Sequence, residues 1–254
     1  MAICSEIRRI KETFTDNLKS VEELINFDKI VLNFAILHLD DLSEKLKVHH
    51  QLNNPHLSVD KTLQMLKNIR ENNSLEITYK RVFNQCLVLL VSYFSSTVRE
   101  LFQTAIDEAL VLQNFENINK TQLSLSLFDL KNDIEKSRSI GDLLATQKDI
   151  SFQDMQSIAR TFQEYFSILI EKNQNTNNII LAQACRHAIV HSGSKVDRKL
   201  VNQVSKAIPR TVKLDIELGS EILFNQEEIS LISVSMKQYL EDLFSHIKNK
   251  LTVA

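Results

Sequence analysis

The stretch YKRVFNQCLVLLVSYFSSTVRELFQTAIDEALVL, residues 79–112, decides the fold class of this chain. It runs for more than thirty residues without glycine or proline, and its apolar side chains recur at helical spacing. Helix interiors exclude glycine and proline most strongly, and the whole chain has only three glycines and two prolines. The stretch therefore predicts one long helix, or two in close succession, within an all-α protein.

The same spacing predicts helices before this stretch and a shorter one after it. Upstream, helices are expected over about 3–25, 28–50 and 59–72, with Ser58 as the N-cap of the third. Downstream, an amphipathic helix is expected over about 121–137. A capping box at 151–154 then precedes a helix that ends near the asparagine-rich tract 171–178, which is predicted to be a polar loop.

The last third of the chain combines helices with one ambiguous segment. A helix is predicted from about 179 to His191, where Gly193 takes the left-handed position that ends it. Asp197 is expected to cap a short helix to about 206, and Asn225 with Glu228 to cap a final helix over about 226–250. Residues 211–224 alternate apolar and polar side chains, which predicts a small β-hairpin or an extended connection.

Composition excludes several classes of protein. The chain has 254 residues, 43% hydrophobic and 24% charged, which is typical of a soluble globular protein. Its net charge of −2 excludes bulk coating of nucleic acid or an anionic membrane. No secretory signal is expected from residues 1–14, and no transmembrane helix is expected because no apolar run approaches the about 20 residues that span a membrane. Three widely spaced cysteines are typical of reduced thiols, so a cytoplasmic location is expected.

Familiar catalytic motifs are missing from the chain. No glycine lies in a GxxxxGK[ST], GxGxxG or GxSxG pattern. Cys185 precedes an arginine and a histidine, but its apolar surroundings favour a buried thiol over a nucleophile. His187 and His191 share a helical face and would bind zinc only with a third ligand, for which Asp197 would have to fold back.

The segment CRHAIVHSGSKVD, residues 185–197, opens the most basic part of the chain. From Arg186 to Lys213 there are seven basic residues and one acidic residue, Asp197, although the remainder of the chain is acidic. Arg186 is an always-charged phosphate ligand, and His191 titrates near neutral pH. The segment therefore predicts a focused anion site, against the simpler interpretation of a histidine stabilised at a helix end.

This segment resembles the signature of the HEPN superfamily (higher eukaryotes and prokaryotes nucleotide-binding). Several branches of that family carry a motif close to R-[NHD]-x-x-V-H-x-x-G-x-V-D, with Gly193 or its neighbourhood supplying the glycine here. Residues 84–102 and 218–244 also resemble the early and late helices of the family. Besides this glycine, the positions of the chain that match the motif are Arg186, His187, Val190, His191, Val196 and Asp197. One departure from the family is that Ser95 and Ser96 stand where many members have an acidic residue.

The resemblance implies an up-and-down helical bundle over residues 73–254, with residues 1–72 as an N-terminal helical extension. It also implies a metal-independent endoribonuclease without a cofactor, in which two protomers share one active site. The ribose 2′-OH would attack the adjacent phosphate and leave a 2′,3′-cyclic phosphate. Arg186 and His191 would be catalytic, His187 and Ser192 supporting, and Lys195, Arg198 and Lys199 would contact the RNA.

The expected biological role is that of a toxin or antiviral-defence effector, with RNA as substrate and an antitoxin or defence-system protein as an expected partner. The alternative is a non-catalytic HEPN-like dimer that binds RNA or protein. The spacing of Arg186 and His191 matters for both functions. Five positions at about 100° each add up to about 500°, so the two side chains point about 140° apart on one helix. They converge if the arginine bends round, if the helix ends at His191, or if a second protomer completes the site.

Overall fold

The computed structural model describes residues 2–48, 55–71, 76–113, 115–126, 131 and 138–252. Within these residues the fold is all-α, as predicted, and the β pairing consists of one isolated antiparallel bridge between Lys195 and Glu221. None of the described helices is both long and apolar enough to cross a membrane. The helices are α1 Ala2–Val48, α2 Pro55–Glu71, α3 Glu76–Leu112, α4 Glu116–Asn119, α5 Ile140–Gln147, α6 Met155–Phe166, α7 Gln174–His191, α8 Arg198–Val204 and α9 Gln226–Thr252.

Helix α3 is the central element of the bundle. It is one long helix, the first of the two alternatives predicted from the sequence, rather than two helices in close succession. Helices α1, α5, α7 and α9 all pack against it. Its side chains Phe94, Leu101 and Phe102 are completely buried. The ring of Phe102 meets four other aromatic rings at centroid distances of 5.5–6.1 Å, which anchors α6 and the residues before it; these rings are Phe152, Phe162, Tyr165 and Phe166.

Helix α1 is one continuous helix of 47 residues, so the predicted break between residues 25 and 28 is wrong. Its first half buries Ile10, Phe14 and Val21 in the common core. Its second half pairs with α2, where Lys67 Nζ lies 2.9 Å from Asp40 Oδ1. We call residues 27–48 of α1, together with α2, the arm. Helix α2 begins at Pro55, four residues earlier than predicted, because proline suits the first turn of a helix.

Two other predicted helices have different boundaries in the structure. Helix α6 is capped by Asp154, whose side chain accepts a hydrogen bond from the Ser157 amide, so the predicted capping box headed by Ser151 is wrong. The helix ends at Phe166, well before residue 171, with Ser167 in the left-handed conformation. Residues 121–126 are not helical, and 127–130 and 132–137 of the predicted helix lie outside the described residues.

Residues 174–178 of the asparagine-rich tract form the first turns of α7, so the predicted polar loop is wrong for them, whereas residues 171–173 precede the helix. Asn173 and Thr176 form a reciprocal capping box at its N-terminus. Asn177 and Asn178 point inward, with 2% and 1% of their surface exposed. The Asn177 amide donates to the carbonyl of Pro209 at 2.9 Å. Asn178 donates to hydroxyl groups of Thr211 and Ser235 and accepts from the Thr211 amide; the three distances are 3.0, 3.1 and 3.1 Å.

Residues 211–224 form an extended connection, so the β-hairpin alternative is wrong. Backbone groups of residues 219–222 bond to the backbone of residues 194–196, and side chains bond to further backbone groups in and before the segment. Asn84 of α3 donates to the Ile222 carbonyl at 2.7 Å and accepts from the Phe224 amide at 3.1 Å. The Arg210 guanidinium donates to four backbone carbonyls at 2.9–3.2 Å, those of Val204, Ala207, Lys213 and Leu214.

We expect Asn178→Ala to lower the free energy of unfolding by about 2 kcal/mol, because it leaves the buried Ser235 hydroxyl without its partner and removes the bonds that hold Thr211. Urea unfolding followed by circular dichroism measures this change. Asn202→Ala, at an exposed position of α8, is the matched control and should be nearly neutral. Equal stability of the two variants would contradict the assigned role of Asn178.

We expect Arg210→Lys to lower the free energy of unfolding by about 1–2 kcal/mol although the charge is kept, since an ammonium group cannot reproduce the four hydrogen bonds of the guanidinium fork. Thermal unfolding measures the loss. Lys206→Ala removes a charge from an exposed neighbour and should have little effect. A stable Arg210→Lys variant would show that Arg210 contributes its charge alone.

Candidate functional site

The candidate site lies at the C-terminal end of α7, which ends at His191 as predicted. Gly193 has a φ of +61°, the left-handed conformation expected of it, and Ser194 has the same φ. The amides of Ser192 and Ser194 donate to the carbonyl of Ala188 at 2.9 and 3.2 Å, which closes the helix end. The exposed His191 therefore lies beside the negative end of the helix dipole.

Arg186 and His191 both belong to the continuous helix α7, so the angle of about 140° between their directions holds in the folded chain. His191 is exposed, whereas Arg186 is partly buried. Its Nε atom is shielded from solvent and has no hydrogen-bond partner in the part of the chain that the structure describes. The two predicted catalytic side chains thus share one helix end without pointing to one place.

His187 links the helix end to the basic residues that follow it. Its ring centroid lies 4.8 Å from that of His191, and its Nε2 atom lies 3.5 Å from the Lys199 ammonium on α8. Burial lowers the pKa of His187 below its ordinary value of 6.5, and the charges of Lys199 and His191 lower it further. His187 is therefore uncharged at neutral pH and can accept a proton or a hydrogen bond.

Ser192 and Asp197 hold the turn that separates α7 from α8. The Ser192 hydroxyl donates to Asp197 Oδ2 at 3.1 Å, and the Leu200 amide donates to Asp197 Oδ1 at 2.8 Å. The Leu200 bond and the Ser192 bond lower the pKa of Asp197. Asp197 is the predicted cap of α8, and Ser192 braces this turn through it.

The cations of the basic segment, residues 186–213, fall into two groups: some are bound to other groups within the fold, and the others are exposed. Arg210 is bound to backbone carbonyls. Lys213 donates to the Leu223 carbonyl at 2.6 Å and lies 3.3 Å from Glu228 Oε1, with its ammonium over the ring of Phe224. From the sequence, Arg210 and Lys213 count among the cations of the anion site. Their packing role was not predicted, because their partners are backbone atoms or residues distant in sequence.

The predicted RNA-contacting residues all lie close together in sequence and are exposed: Lys195, Arg198 and Lys199. Within the described part of the chain, the side chains of Lys195 and Arg198 have no hydrogen-bond or ion-pair partner. Lys199 is the residue that contacts His187. These three cations are the exposed basic side chains of the segment that lie nearest in sequence to this helix end.

Two alternatives for the chemistry of this segment can be compared with the geometry. In the described residues no three His, Cys, Asp or Glu side chains are arranged to bind a metal ion, so a zinc site at His187 and His191 has no third ligand there. Cys185 is buried, which raises its pKa to about 12. It is the buried thiol that the sequence favoured over a nucleophile.

The hydroxyl of Ser95 on α3 is also buried without a hydrogen-bond partner among the described residues. The arginine of the motif and this serine thus share one feature, a shielded polar atom with no recorded partner. Comparison of the chain with protein-family models, with curated proteins and with solved structures finds no match.

Proposed function

We propose that this protein is a metal-independent endoribonuclease of the HEPN type that acts in the cytoplasm as a toxin or antiviral-defence effector. The observation that carries the proposal is the end of α7, where an arginine and two histidines occur within six residues beside exposed cations. An arginine that binds phosphate and histidines that exchange protons are the groups that RNA transesterification requires. An antitoxin or other defence-system protein is a further expected partner.

The reaction in this proposal needs a proton acceptor, a proton donor and a positive charge at the phosphate. His191, exposed at the helix end, serves either as the general base that takes the 2′-OH proton as the O2′–P bond forms, or as the general acid that protonates the 5′-oxygen leaving group as the P–O5′ bond breaks. The products are a 2′,3′-cyclic phosphate and a 5′-hydroxyl. Arg186 stabilises the charge that develops on the phosphate. His187 is uncharged and assists His191, while Lys195, Arg198 and Lys199 bind flanking phosphates.

A shared site in a homodimer resolves the divergence of Arg186 and His191 on their helix. In a twofold dimer each surface meets its own copy, so His191 of one protomer can face Arg186 of its partner.

The alternative function is a non-catalytic module that binds RNA or a protein. The same divergence of Arg186 and His191 favours it, because one chain alone does not bring the two side chains to one phosphate. Such a module would retain RNA through its exposed cations and leave it intact.

The proposal predicts RNA cleavage in EDTA by the purified full chain, with products that end in 2′,3′-cyclic phosphate. His191→Ala should reduce the rate by about 10²–10⁴-fold because it removes the proton-transfer group. Arg186→Ala should reduce it by about 10²–10³-fold because it removes charge stabilisation. Cleavage is followed with end-labelled RNA, and the products are identified by mass spectrometry.

Matched controls for this experiment are His246→Ala and Arg160→Ala, which replace exposed residues of the same types on other helices. Both should cleave like the wild type. Failure of the wild type to cleave RNA, or equal rates for the motif variants and controls, would overturn the nuclease proposal. RNA retained without cleavage would favour the binding module.

The pKa of His187 provides a second prediction. Lys199→Met removes one of the charges that lower this pKa, so the pKa should rise toward 6.5 and the acidic limb of the pH–rate profile should move to higher pH. Titration of the imidazole C–H resonances by NMR measures the shift directly. Lys206→Met, at an exposed position in the same basic segment, should leave the pKa unchanged. An unchanged His187 pKa in Lys199→Met would contradict the role given to the ammonium.

A further inference from the structure

The arm exposes an unusual apolar surface along α1. Six large apolar side chains on the outer side of this helix are between 42% and 68% exposed, and no side chain in the described part of the protein covers them. We call this surface the α1 stripe. It consists of Leu24, Phe27, Ile30, Val31, Phe34 and Leu37.

The spacing of the α1 stripe indicates that a helix covers it. Leu24, Phe27, Val31 and Phe34 follow one another at intervals of three, four and three residues, which is the a/d pattern of a coiled-coil seam. Position 38 continues the pattern with His38, whose ring lies 4.0 Å from that of Phe34. Ile30 and Leu37 widen the seam on one side, as in helices that pack into bundles.

The other side of the arm is already occupied. Ile36 and Ser43 of α1 are buried, as is Leu63 of α2, and the Ser43 hydroxyl is bonded to the Asp60 carboxylate. The α1 stripe therefore does not represent the seam between α1 and α2, but a second apolar face on the opposite side of the helix pair.

The size of the arm indicates why it needs a partner. Two helices with so few buried side chains enclose little core, and units below about 40 residues usually depend on oligomerisation, metals or disulfides. The one cysteine of α1, Cys4, is a free thiol and lies at the far end of the helix. Two arms packed stripe to stripe would bury each α1 stripe against the α1 helix of the second copy, with α2 on the outer side of each arm.

The area of the stripe fits a stable dimer. Six side chains that each expose on the order of 100 Å² form an apolar surface of about 600 Å². A standard interface buries about 800 Å² on each partner, of which the apolar share is about 60%. The stripe thus supplies the apolar part of one interface of standard size.

From this geometry we infer that the α1 stripe is a self-association surface that binds the arm of a second copy of this chain. A second copy offers the same 3.5-residue seam, so the surface is self-complementary as twofold symmetry requires. An anionic membrane fits less well, because residues 19–45, which include the stripe, contain six acidic and three basic side chains and so have a net negative charge. The inference does not rest on the proposed nuclease function.

The test is the mass of the full-length protein in solution, measured by sedimentation velocity between about 1 and 50 μM, a range that suits interfaces of standard size. The wild type should sediment as a dimer, at twice 29.3 kDa. The double variant Phe27→Glu/Phe34→Glu should raise the dimer dissociation constant by at least about 100-fold, since it places like charges in the seam. Val111→Glu, at an even more exposed apolar position of α3, is the control and should remain dimeric.

A second variant separates loss of pairing from loss of folding. Phe27→Gln/Phe34→Gln removes the apolar rings but keeps good helix formers, so its circular dichroism spectrum should match that of the wild type while its dimer weakens. A monomeric wild type, or a dimer of unchanged affinity in the folded Glu and Gln variants, would overturn the inference. RNA cleavage is measured separately, so absence of cleavage with an intact mass result would bear on the nuclease proposal alone.

Discussion

Burial of α3 on nearly every side is the constraint on which the rest of the structure depends. A helix with completely buried Phe94, Leu101 and Phe102 must be enclosed by several other helices, and α1, α5, α7 and α9 do so. Phe102 packs against aromatic rings in and before α6, and Asn84 is hydrogen-bonded to the extended connection before α9. The end of α7 is therefore fixed by contacts made some distance from the motif itself.

Helix ends were predicted correctly from the sequence where the interactions that stabilise them are made by neighbouring residues. Gly193 ends α7 and Asp197 caps α8, because a left-handed glycine and an N-cap depend on neighbouring residues only. The asparagine tract was misjudged for the opposite reason. Asn178 is stable inside a helix because its partners are Thr211 and Ser235, more than thirty residues away, and no local pattern reveals them.

The candidate site shows the same division between local and distant causes. The sequence predicted that His191 would occupy a helix end and that cations would follow it, and the structure has both features. Counting charges treated all the basic residues of the segment alike. Arg210 and Lys213 are instead used to bind backbone carbonyls and Glu228, so the available positive charge is concentrated at fewer residues nearer to the helix end.

Two independent features of this chain are incomplete in a single copy. Arg186 and His191 diverge by about 140° on α7, and the α1 stripe exposes a helical seam that no described side chain covers. Under the two proposals, twofold symmetry would complete both features, because it places a surface against itself. They need not use the same interface. A chain that pairs through its arm would keep two copies at high local concentration, which favours a second, weaker contact between the two helix ends.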